Sequence, residues 1–105
     1  MKFQINEQKV KDLISNIYFI EEIWTESNNV YELLNLQEMV ESQIITHKGL
    51  LSVENKLSEL NKHFKFYIKN KLNSYRHEEK LKIIKCNNLI EELHVQIEAV
   101  LYKIC

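Results

Sequence analysis

The residues of this 105-residue chain that could do chemistry are four histidines, two cysteines and several adjacent acidic pairs. His77-Glu78-Glu79-Lys80-Leu81 opens like the zinc-protease pattern His-Glu-x-x-His. Leu81 stands where the second imidazole must be, so two ligands do not share a helical face. Cys86 and His94 are eight positions apart, outside the usual zinc spacings. Cys86 falls on an apolar stripe, where a small buried hydrophobe is the expected identity. Glu21-Glu22, Glu78-Glu79 and Glu91-Glu92 lie off the stripes and read as solvated helix faces. There is no glycine-rich phosphate loop and no nucleophile held beside an oriented base. No catalytic residue, metal site or cofactor is expected, and the chain is not expected to be an enzyme.

His47-Lys48-Gly49 carries the residue types found around the histidine of phosphotransfer domains, which are also four-helix bundles. In that family the Lys-Gly pair comes one helical turn after the histidine, leaving the imidazole open. Here it follows His47 directly, and the altered register removes the likeness.

Charge distribution carries more. Residues 1–61 hold five Lys against ten Asp or Glu, a net of −5. Residues 62–85 hold seven Lys and Arg76 against Glu78 and Glu79, a net of +6, and residues 86–105 return to −2. The overall −1 therefore conceals a dipolar chain. Phe64, Phe66, Tyr67 and Tyr75 lie within the basic block. Phe66 sits about 200° from Phe64 and about 100° from Tyr67 at 100° per residue, so it points off the stripe that carries both. Lys62, His63, Lys69 and Asn70 surround it one turn away. An aromatic ring with a basic rim is the pattern of an interface hot spot, and Phe66, Lys62, Lys69, Lys71 and Arg76 are the expected partner-binding residues. The expected partner is another protein, or a second copy of the chain as a homo-oligomer. Nucleic acid is the alternative partner of the Lys62–Lys85 segment, since basic residues mixed with aromatics also suit phosphates and bases. Two observations weigh against it. Core packing already accounts for Phe64 and Tyr67, and lysine lacks the bidentate fork with which arginine reads guanine.

These side chains need helices to hold them. Leu50, Val53, Leu57, Leu60, Phe64 and Tyr67 recur at spacings of 3, 4, 3, 4 and 3, one stripe of a helix. A stripe so regular must be covered by partner helices. Val10, Leu13, Ile17, Ile20 and Trp24 form a second stripe, widened by Ile14, with Phe19 and Ile23 on another face. Asn6 is its expected N-cap, with Ile5 and Val10 as the hydrophobic staple. Residues 25–29 break the pattern, and Asn29 with Glu32 has capping-box spacing. A helix carrying Val30, Leu33, Val40 and Ile44, flanked by Leu36 and Met39, is expected next, with Gln37 at its rim.

At the junction that follows, two arrangements are open. Gly49 closes the second helix in a left-handed conformation and Ser52 caps the third, or the helix runs through Gly49 at about 1 kcal/mol relative to Ala. The first is the expected one. Residues 69–80 are polar apart from Leu72 and Tyr75, with Ser74 as the expected cap of the last helix. Its stripe is Ile83, Cys86, Ile90, Leu93, Ile97, Val100 and Ile104. That stripe is out of phase with the one ending at Tyr67 by about 160°, so a turn separates them.

With no proline and one glycine, the chain lacks the turns of a sandwich or barrel. Apolar residues at 45% and charged residues at 28% suit a globular domain with a single core. The expected architecture is all-α, one domain over residues 1–105, a four-helix up-down bundle. Fusion of the middle helices would give three long helices or an extended, coiled-coil-like hairpin that dimerises. Thirteen Lys, thirteen Ile and eleven Asn reflect A+T-rich coding, as in many phage and bacterial genes. No apolar run reaches the ~18 residues that span a bilayer, and the N-terminus lacks the pattern of a secretory signal. A cytoplasmic, non-enzymatic binder of inhibitor, immunity or chaperone type is the expected function.

Overall fold

Asn6 opens the first helix by capping it: its Oδ1 accepts from the Lys9 backbone N–H at 3.1 Å, and the flanking Ile5 and Val10 are both buried. Helix α1 is Glu7–Tyr18, in a computed structural model that describes residues 5–18 and 29–104. Three more helices follow among the described residues: α2 (Asn29–Ser42), α3 (His47–Asn70) and α4 (His77–Ile104). A short 3-10 turn, Leu72–Ser74, joins α3 to α4. Each of α1 and α3 packs on both α2 and α4. Asn6 N–H donates to Gln96 Oε1 at 2.9 Å and Lys9 pairs with Glu92, which sets α1 antiparallel to α4. The fold is an all-α four-helix bundle.

The stripes become the core. All six α3 stripe residues are buried, as are Val10, Leu13 and Ile17 of α1. Ile83, Cys86, Ile90, Leu93, Ile97 and Val100 line the core from α4, joined by Leu89 and Leu101. Ile20, Trp24, Phe19, Ile23 and the break at residues 25–28 lie outside the described residues, as does the side chain of Asn29. At about 1.5 Å per residue, the 28 residues of α4 nearly fill the 44 Å long axis of the molecule.

Three sequence expectations are corrected. The chain does break between the second and third helices, but at residues 43–46 rather than at Gly49. Gln43 takes the left-handed conformation at φ 60°, and Thr46 caps α3 by accepting from the Gly49 N–H at 3.0 Å. Gly49 is therefore helical, and Ser52 lies inside α3. Glycine is needed for space: a Cβ there would stand 2.7 Å from Thr46 Oγ1 and 2.8 Å from Met39 Sδ. Second, Ile44 lies past the end of α2 and is exposed, while Leu33 and Leu36 are the buried residues of that helix. Gln37 faces outward, donating to Glu41 Oε1 at 3.0 Å. Third, the Ser74 hydroxyl is taken by the Lys71 carbonyl at 2.6 Å. Arg76 occupies the N-cap position instead; its C=O accepts from Lys80 N–H, and its own N–H donates to Glu79 Oε1 at 3.2 Å.

Cys86 is a fully buried free thiol. Burial pushes its pKa from 9.0 up to about 12, against a smaller lowering by Lys85. The unfolded chain therefore loses this proton above pH 9 while the folded chain keeps it, so stability is full below that pH and falls above it. Between pH 8 and 10 this removes on the order of 1 kcal/mol from the wild type. Urea unfolding at the two pH values checks it, because Cys86→Ala must lose less than the wild type over the same interval.

Candidate functional site

The C-terminal two turns of α3 build the site around Phe66. Phe64 and Tyr67 point into the core, and this fixes the backbone that carries Phe66 outward, where 52% of its surface is exposed. The ring does not stand alone. Its centroid is 6.1 Å from that of Tyr67, which lies 6.2 Å from Phe64 on the core side and 6.4 Å from Tyr75 in the turn, all edge-on. Tyr67 thus couples an exposed aromatic to the core and to the start of α4, and edge-on packing of this kind holds each ring in place.

Lys71 has two tasks at this end of α3. Its backbone N–H donates to the Tyr67 carbonyl at 2.9 Å and closes the helix. Its ammonium lies 5.8 Å from the Phe66 centroid and 5.6 Å from that of Tyr67, within cation–π range. Asn70 Nδ2 donates to the Phe66 carbonyl at 3.2 Å, which supports the last turn. Lys62, His63, Phe66, Tyr67 and Lys71 line an open groove of about 360 Å³. Of the sequence-expected residues, the structure brings Lys62, Phe66 and Lys71 together. Lys69 is exposed on α3 outside the groove, and Arg76 is exposed at the start of α4.

A second cluster escapes the sequence reading. His94 Nε2 lies 3.4 Å from Glu98 Oε1 on α4 and 3.9 Å from Glu54 Oε1 on α3. Only the His94–Glu98 pair, one turn apart, has a signal in the sequence; Glu54 is forty positions away. Register supplies the link, because the packing of α3 on α4 brings position 54 opposite position 94. His47, Glu54, Glu98 and Leu101 share one groove. One heptad from Glu54 and His94, Asn61 and Asn87 each hold a buried Oδ1 without a hydrogen-bond partner.

Comparison of the chain with protein-family models, with curated proteins and with solved structures finds no match.

Proposed function

We propose that the protein is a non-enzymatic binder of inhibitor, immunity or chaperone type, and that it docks an acidic segment of another protein bearing an apolar side chain. The half-exposed Phe66 ring, packed edge-on against Tyr67 and overhung by Lys71, carries this reading. A rigid aromatic offers contact area at low entropic cost, and desolvated aromatic anchors with a polar rim dominate interface energies. The net +6 of residues 62–85 favours an acidic partner and speeds its approach. Cytoplasmic residence belongs to the same reading: the fold rests on packing, with Cys86 buried as a free thiol. Among the described residues no helix is long and apolar enough to cross a membrane.

Phe66→Ala is expected to weaken partner binding by about 1–3 kcal/mol while shifting Tm by only a few degrees. Wild-type, Phe66→Ala and Lys71→Glu proteins used as baits, with quantitative mass spectrometry, test this, and sedimentation reports self-association as the case of a second copy. Equal recovery by all three baits would remove the Phe66 groove as the docking site. A mobility shift with RNA or DNA that falls steeply with salt and is lost in the Lys69→Glu, Lys71→Glu double variant would favour the nucleic-acid reading instead.

A further inference from the structure

Glu54, His94 and Glu98 each offer one ligand atom, and these atoms all lie within 4.8 Å of one another. We propose that they form a binding site for a divalent transition-metal ion, Zn²⁺ above others, independent of the Phe66 groove.

Geometry comes first. Zinc–ligand distances of about 2.0–2.2 Å in a tetrahedron place neighbouring ligand atoms roughly 3.3–3.6 Å apart. His94 Nε2 to Glu98 Oε1 is 3.4 Å, and His94 Nε2 to Glu54 Oε1 is 3.9 Å, a gap that a small swing of the Glu54 carboxylate closes. Charge points the same way. Two carboxylates supply two negative charges, which a dication cancels. Donor type then selects the ion. One imidazole nitrogen with two carboxylate oxygens suits Zn²⁺, whereas Ca²⁺ and Mg²⁺ favour all-oxygen shells.

The scaffold is rigid and the site accessible. Val53, Leu57, Leu93 and Ile97, on either side of the ligands in sequence, are fully buried, so the core fixes both helices where the donors leave them. The His94 and Glu54 side chains keep 30% and 28% of their surface exposed and Glu98 keeps 55%, leaving an approach for the ion. The cluster adjoins a groove of about 400 Å³ lined by His47, Leu51, Leu101 and Tyr102 as well as by Glu54 and Glu98. A three-ligand site beside an open groove leaves a fourth position for water or for a donor from a bound molecule. The bound ion would tie α3 to α4 in the half of the hairpin far from its turn.

Calorimetric titration of ZnCl₂ into the chelator-treated full chain at pH 7 tests the site, with MgCl₂ as the comparison and His77→Gln as a control for surface imidazoles. One equivalent of Zn²⁺ is expected to bind wild type and His77→Gln alike, raising Tm, while Mg²⁺ does neither. His94→Gln and Glu54→Gln are expected to bind at least tenfold more weakly, with circular dichroism reporting their fold. Glu98→Gln, at the most exposed of the three ligands, gives the same reading if either of those fails to fold. No Zn²⁺ binding by wild type up to millimolar concentration would overturn the proposal and leave His94 a plain ion-pair partner of the two carboxylates. Undiminished binding by the ligand variants would overturn it equally.

Discussion

Leu60→Asp is expected to cost several kcal/mol of stability and to lower the melting temperature far below that of the wild type. Leu60 lies in the middle of the α3 stripe with no exposed surface, and a carboxylate there has neither water nor a partner. Burying such a group, or splaying the helices to hydrate it, costs several kcal/mol. That is a large share of the roughly 5–15 kcal/mol by which domains of this kind are stable. Glu59→Ala, one position earlier, should change stability by less than about 0.5 kcal/mol. Glu59 does pair with Lys56 at 3.1 Å, and the Lys56 side chain is only 13% exposed, but the Glu59 carboxylate is 55% exposed and screened by water, so the pair contributes little. Circular dichroism melts of the two variants decide the matter; equal melting temperatures would refute the packing of α3.

Phe64→Ala and Phe66→Ala should differ as sharply, although the residues are two positions apart. Phe64 is fully buried and packs edge-on against Tyr67. Truncating it removes a large apolar surface and leaves a cavity, at about 3–5 kcal/mol. At roughly 4–8 °C per kcal/mol for domains near this size, Tm should fall by more than about 10 °C. Phe66→Ala removes a ring already half in water. A melting temperature for Phe64→Ala within a few degrees of wild type would show that the aromatic end of α3 is not part of the core.

Much of this architecture is legible in the sequence because the stripes are regular. The six α3 residues spaced 3, 4, 3, 4, 3 are the six that are buried, the Asn6 cap forms as its spacing implies, and the expected staple residues Ile5 and Val10 are both buried. Boundaries are harder to read, because several residues nearby can do the same job. Thr46 and Ser52 are both acceptable caps, and only the left-handed Gln43 and the contact of Met39 with Gly49 decide for Thr46. Ile44 continues the α2 periodicity numerically, but the helix stops before it. Ser74 has the right chemistry for a cap, yet its hydroxyl is consumed by the 3-10 turn. In the docking site, the outward angle of Phe66 follows from helical phase alone. The cation above it depends on where α3 ends, which brings Lys71 back over the rings while Lys69 stays clear. The Glu54–His94 contact needs the register of two helices, and no single stripe contains that.

The α3–α4 hairpin also has a chronology. Its facing pairs are nested about the turn: Tyr67 meets Tyr75 across eight positions, and Glu54 meets His94 across forty. Loop-closure entropy rises with the length of chain enclosed, by about 0.6 kcal/mol per doubling. The aromatic contact at the turn is therefore the inexpensive one to make first, and closure proceeds outward from it like a zip. The aromatic platform beneath Phe66 belongs to the earliest part of that sequence. The carboxylate–imidazole cluster comes later, assembled once roughly two thirds of each helix, counted from the turn, has come into register.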